Sequence, residues 1–174
     1  IEISEKTEDV FKRKSAVSGV AYVLSFIGKA DLGRELLKKE IKGSDAPWYY
    51  ASSLSSLEKR NGMAEESLKW SNEAFNLAKG DATILQWSVS NILNHISLAP
   101  KNSEKIFSLT DELFKHVFSL EDSFSGRNLR YLKSLKKGIT EDQKVKGLKP
   151  HLKSKEKGCE ELLQKAVCKN FFSS

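Results

Sequence analysis

Apolar residues recur along this chain at spacings of three and four, the signature of helices that bury one face. Few stretches alternate apolar and polar residues as a half-buried strand would. Glycine, proline and asparagine punctuate the pattern at Gly28, Gly43, Asn61-Gly62, Gly80, Pro100, Ser125-Gly126, Gly138, Gly147 and Pro150, and the pieces between them have helix length. The pattern predicts a first helix over about Thr7 to Ile27, with Val10, Phe11, Val17, Val20, Leu24 and Ile27 as its apolar set. A second runs from Asp31 to Lys42 with Leu32, Leu36, Leu37 and Ile41. Asp45-Ala46-Pro47 opens a third, carrying Tyr50, Leu54 and Leu57, because an early proline suits the first helical turn. A fourth spans Ala64 to Ala78 with Leu68, Trp70, Ala74, Phe75 and Leu77.

Asp81 opens a fifth helix with Leu85, Val89, Ile92, Leu93 and Ile96. Asn102 or Ser103 caps a sixth, on which Ile106, Phe107, Leu109, Leu113, Phe114, Val117, Phe118 and Leu120 cover an arc wide enough to demand burial on most sides. A seventh, Gly126 to Lys137, puts Leu129, Leu132 and Leu135 on one side and Arg127, Arg130, Lys133 and Lys137 on the other. An acidic stretch, Glu141-Asp142, and a stop around Gly147 to Pro150 follow, then a last helix over about Lys155 to Val167.

The predicted helices pair, and an offset of 34 aligns the first pair with the second. Gly28 meets Gly62, Ala30 meets Ala64, Val20 meets Leu54, Val23 meets Leu57, Leu36 meets Trp70 and Ile41 meets Phe75. That is the tetratricopeptide period, and two-helix hairpins stack because one hairpin cannot bury its own apolar face. Ser67 and Ala74 keep the spacing of the two small positions in a second helix, whereas Glu58 stands where an aromatic is usual. The expected architecture is all-α: about three tetratricopeptide-like hairpins with C-terminal capping helices, forming a single domain over residues 1–174. The chain opens Ile1-Glu2, without Met, and reads as a processed protein or a piece of a larger one.

Composition narrows the class. With 39% hydrophobic and 30% charged residues, the chain is neither a membrane-spanning bundle nor a disordered one. The nearest candidate span, Ser15 to Gly28, fourteen residues without a charge, falls short of the ~20 residues a span needs and reads as a buried helix. The net charge of +6 is concentrated: Arg127 to Lys157 holds eleven basic and three acidic residues. Arg127, Arg130, Lys133 and Lys137 could meet phosphates or an acidic partner. Base stacking would need interleaved aromatics, and Tyr131 alone supplies one, which disfavours nucleic acid. A solvated lysine-rich face is the plainer reading.

Catalytic signatures are absent. The chain has no GxGxxG, GxxxxGK[ST], GxSxG or HExxH. Its three histidines, His95, His116 and His151, are 21 and 35 residues apart, so neither a metal site nor a cofactor is expected, and the chain reads as non-enzymatic. A partner-binding groove is the functional candidate. Trp48 and Tyr49 open the third helix, and Gln86, Ser90 and Asn94 form a polar stripe on the fifth, flanked by Trp87 and Asn91. Aromatic and amide side chains together suit recognition of a protein or peptide; ordinary interhelical packing is the alternative. Cys159 and Cys168 are nine residues apart. One unbroken helix would separate them by roughly 13 Å, so a bridge between them requires a bend, and two buried free thiols are the alternative.

The stretch from Asp31 to Pro100, DLGRELLKKEIKGSDAPWYYASSLSSLEKRNGMAEESLKWSNEAFNLAKGDATILQWSVSNILNHISLAP, resembles the helical C-terminal region of a group of exported bacterial thioredoxin-like proteins. The closing GCEELLQKAVCKNFF is similar to their terminal segment, where two cysteines precede a final aromatic. Their WCxxC thioredoxin domain is absent from this sequence, so no catalytic residue carries over. The resemblance implies an attached thioredoxin-like domain as a partner, a periplasmic or secreted location, and a Cys159–Cys168 disulfide, which the even cysteine count also favours.

Overall fold

The structure, a computed structural model, describes residues 10–141, 144–163 and 165–172. The described residues form nine helices and no strand: α1 (Val10–Phe26), α2 (Ala30–Gly43), α3 (Pro47–Arg60), α4 (Ala64–Leu77), α5 (Asp81–Leu98), α6 (Ser103–Phe118), α7 (Gly126–Glu141), α8 (Leu148–Leu162) and α9 (Lys165–Phe172). The expected start of the first helix at Thr7, the side chains of Val10 and Phe11, and Asp142 lie outside the described residues. The chain divides into two compact units, with the boundary between Ala78 and Lys79.

In the first unit α1 packs on α2 and α3, α2 packs on α3, and α3 packs on α4. The 34-residue offset governs the backbone. α1 ends at Phe26 and α3 at Arg60; α2 begins at Ala30 and α4 at Ala64. Both turns are closed by a glycine in left-handed conformation, Gly28 at φ 79° and Gly62 at φ 75°. Gly28 N–H donates to the Ser25 carbonyl and Lys29 N–H to that of Leu24; 34 residues on, Gly62 donates to Lys59 and Met63 to Glu58. This is one helix-ending motif made twice, and it needs a residue free of a Cβ penalty at the left-handed position.

The close approach inside each hairpin repeats as well. A Cβ on Gly33 would lie 3.1 Å from the Ala21 carbonyl oxygen and 3.0 Å from Leu57 Cδ1. At the equivalent place Ser67 Oγ donates to the Ser55 carbonyl at 2.8 Å. Around these contacts Val17, Ala21, Leu37, Tyr50, Leu54 and Leu57 form the core. α1 is less enclosed than its sequence suggested. Tyr22, Val23, Phe26 and Ile27 are exposed, because within the unit only α2 and α3 cover it.

The second unit is built on α5 and α6, which pack together. The Asn102 side chain caps α6 by accepting from Lys105 N–H. α7 packs on α5, α8 on α6 and α7, and α9 on α8. One apolar cluster joins Leu85, Ile92, Leu113, Leu132, Leu135 and Ile139 to the closing Phe171 and Phe172. α7 continues to Glu141, past the expected end at Lys137. Gly138 is tolerated inside it because the Leu93 side chain of α5 occupies the space a Cβ would fill.

The C-terminal segment differs from its expected course. The last long helix begins at Leu148, seven residues before Lys155, with Gly147 ahead of it at φ 82°. Pro150 sits in its first turn, where no amide donor is needed. The helix stops at Leu162; Leu163 is extended at φ −131° and ψ −175°, and α9 starts at Lys165. That break supplies the required bend: Cys159 and Cys168 are disulfide-bonded, with Cα atoms 5.8 Å apart.

Gly33→Val tests the close approach in the first unit. The added carbons meet backbone of α1, which cannot move aside as a side-chain end could. Urea unfolding is expected to show a loss of about 1–3 kcal/mol, whereas Gly43→Val, at a glycine with open space around it, is expected to lose less.

Candidate functional site

The expected groove residues fall in both units. Trp48 and Tyr49 occupy the first turn of α3 in the first unit; Gln86, Trp87, Ser90, Asn91 and Asn94 lie on α5 in the second. On α5 the four-residue spacing keeps Gln86, Ser90 and Asn94 along one side, and all three are half-buried. Trp87 and Asn91, one position further round, are 9% and 1% exposed. Their side chains are interior, so the accessible polar stripe is narrower than the sequence suggested. Trp48 and Tyr49 are half-buried, with ring centroids 5.9 Å apart. Lys14 Nζ lies 3.4 Å from the Tyr49 ring centroid, and burial pushes the pKa of this ammonium down. The Trp48 indole N–H is buried without a hydrogen-bond partner among the described residues, an arrangement that interior tryptophans usually avoid.

The basic residues expected on the seventh helix behave as a surface stripe. Arg127, Arg130, Lys133 and Lys137 are all exposed on α7, and Lys137 Nζ approaches Glu141 at 3.8 Å. Lys136, between them, is half-buried and donates to the Phe171 carbonyl. Among the described residues no group of three His, Cys, Asp or Glu side chains could hold a metal ion. No helix among them is long and apolar enough to cross a membrane.

The ion pairs of the first unit were not foreseen. Arg34 grips Glu58 with two hydrogen bonds, Nε to Oε1 at 2.7 Å and Nη2 to Oε2 at 2.8 Å, and reaches Asp31 at 2.6 Å. Arg13 grips Glu40 in the same fork, at 2.9 and 2.6 Å. Glu58 and Glu40 are 3% and 7% exposed. The signal was present in Glu58, a charge on an otherwise apolar stripe; its partner 24 residues away could not be read from periodicity. Thirty-four residues from Glu58 and Arg34 stand Leu24 and Leu68, so each of the two charged positions is apolar in the other hairpin.

In the second unit, Asp111 accepts from His151 Nε2 at 2.8 Å and from Lys155, while the His151 ring stacks on Phe107 at 4.5 Å. Burial works to raise the Asp111 pKa, but hydrogen bonds and charge from Lys155 and His151 outweigh it, and the net shift is downward. All four residues have interhelical roles joining α6 to α8, and nothing in the cluster resembles a nucleophile with its base.

Replacing Arg34 alone leaves a buried carboxylate uncompensated. Arg34→Leu is expected to cost about 3 kcal/mol, while Arg34→Leu with Glu58→Leu recovers most of that in chemical denaturation. Glu40 gives a pH signature. The Arg13 hydrogen bonds, with smaller contributions from Arg13 charge, Lys39 and Tyr50, hold its pKa below the ordinary 4.5 against the opposing effect of burial. A depressed folded value adds stability that is complete above 4.5 and disappears as pH falls through the folded value. The urea midpoint should therefore drop between pH 5 and the acid limit, and Glu40→Gln should flatten that drop.

No protein-family model, no curated protein and no solved structure matches this chain.

Proposed function

We propose that this chain is a non-catalytic, tetratricopeptide-like helical-repeat scaffold that binds a protein or peptide. The observation that carries the reading is the duplicated hairpin of the first unit. Helix ends, glycine turns and turn hydrogen bonds recur at 34 residues, and α1 touches α3 as the first helices of successive tetratricopeptide hairpins do. The pairing of α5 with α6 supplies the third hairpin of that reading, with α7 to α9 as caps. Repeats of this kind serve as binding surfaces because their helices present continuous rows of side chains. In the second unit Gln86, Ser90 and Asn94 are such a row; in the first, Trp48 and Tyr49 offer aromatic area of their own.

The resemblance to the helical region of exported thioredoxin-like proteins supports a periplasmic or secreted location and an attached thioredoxin-like domain as partner. The Cys159–Cys168 disulfide is consistent with an oxidising compartment. A second reading, an adaptor or nucleic-acid-associated module, is favoured by the exposure of Arg127, Arg130, Lys133 and Lys137 on one helix.

Selection from a displayed peptide library separates the two. Peptides enriched on the wild-type chain should lose binding at least about ten-fold with Gln86→Arg and Ser90→Arg combined, while far-UV circular dichroism keeps its helical signal. If no peptide is enriched, and a single-stranded oligonucleotide binds with steep salt dependence that Arg127→Glu and Arg130→Glu abolish, the charged reading replaces this one.

A further inference from the structure

The second unit contains a cavity of about 630 Å³ where α7 meets α9, within the usual size range of small-molecule sites. Phe124, Leu129, Val167 and Phe171 give it apolar walls, and three lysines of α7, Lys133, Lys136 and Lys137, stand around it. Among the described residues its lining contains no carboxylate. The lysines differ in availability. Lys136 is engaged with the Phe171 carbonyl and lies 5.5 Å from the Phe171 ring centroid. Lys137 meets Glu141 at 3.8 Å, both side chains being largely exposed, a contact easily exchanged for a better one. Lys133 is exposed and has no ion-pair partner among the described residues.

Apolar walls beneath ammonium groups ask for a ligand with a hydrocarbon body and one anionic end. The wall excludes a bare phosphate, which would leave four apolar side chains unused. A peptide backbone would need several hydrogen-bonding partners. The lining offers two uncharged polar side chains, Thr140 and Asn170, and the Thr140 hydroxyl already donates to the Lys136 and Lys137 carbonyls at 2.9 and 3.0 Å. A nucleic acid would use the whole stripe, yet Arg127 and Arg130 do not line the cavity.

We propose that this cavity binds a free medium-chain carboxylate, its tail against Phe124, Leu129, Val167 and Phe171 and its carboxylate held by Lys133 and Lys137. The site is independent of the peptide-binding reading, and either can fail without the other.

Isothermal titration calorimetry of the full 174-residue chain with decanoate, below its micellar concentration, is the test. Saturable one-to-one binding is expected, with butyrate and decanamide each at least about ten-fold weaker because one lacks the tail and the other the charge. Lys133→Glu with Lys137→Glu, and separately Val167→Trp, should each weaken decanoate at least about ten-fold. Arg127→Glu with Arg130→Glu should leave it within about two-fold. Absence of decanoate binding overturns the proposal. So does equal binding of butyrate, equal loss in the Arg127 and Arg130 variant, or tight binding of phosphatidylglycerol vesicles that Val167→Trp does not change, which would make the stripe a membrane-surface contact. If Val167→Trp fails to fold, the double lysine variant, which alters exposed side chains only, decides by itself.

Discussion

A pair of short amphipathic helices cannot cover its own apolar stripe, and each unit of this chain answers that constraint in its own way. The first unit repeats a hairpin and lays one against the other. The repeat is carried by small residues as much as by large ones. Gly28 and Gly62 reverse the chain in the left-handed conformation. Gly33 and Ser67 let the second helix of each hairpin come down onto the backbone of the first. The leucines find their places because the glycines have fixed the separation.

The forked Arg34–Glu58 and Arg13–Glu40 pairs sit on this frame. Elsewhere in the repeat the positions of Arg34 and Glu58 carry leucine. Charged pairs of this kind add little net stability over apolar ones. Their geometry is directional, however, and Arg34 joins α2 to α3, the helices that belong to different hairpins. Asp31 at the exposed end of the same guanidinium holds it in line.

The second unit depends on ring packing and one covalent link. Phe114 contacts Phe118, Phe171 and Phe172, and Phe171 meets Phe124 edge-on. α9 is too short to hold its place by helix propensity alone. Its two phenylalanines and Cys168 anchor it, and Phe171, with Val167 and Asn170, also completes the cavity beside the α7 lysines. The loop closed by the disulfide is short, so the bond's entropic effect is smaller than the roughly 3 kcal/mol expected for fifteen residues. Its main consequence is local: it holds the wall of the cavity against α8.

The sequence by itself determined the all-helical class, most helix positions, the 34-residue offset and the exposed stripe on α7. Each of these follows from spacing along one helix, which the 3.6-residue period makes local. It did not determine which faces would be covered. Trp87 and Asn91 read as flanks of a polar surface and are interior; Val23 and Ile27 read as core and are exposed. Nor could it join residues far apart in the chain, such as Arg13 to Glu40, Asp111 to His151, or Leu129 to Phe171. Those depend on which helix lies beside which, and that is settled by packing over the whole unit. The break at Leu163 belongs to the same class: good helix formers surround it, but the bridge from Cys159 to Cys168 cannot be made along a straight helix, and the tertiary constraint prevails over local preference.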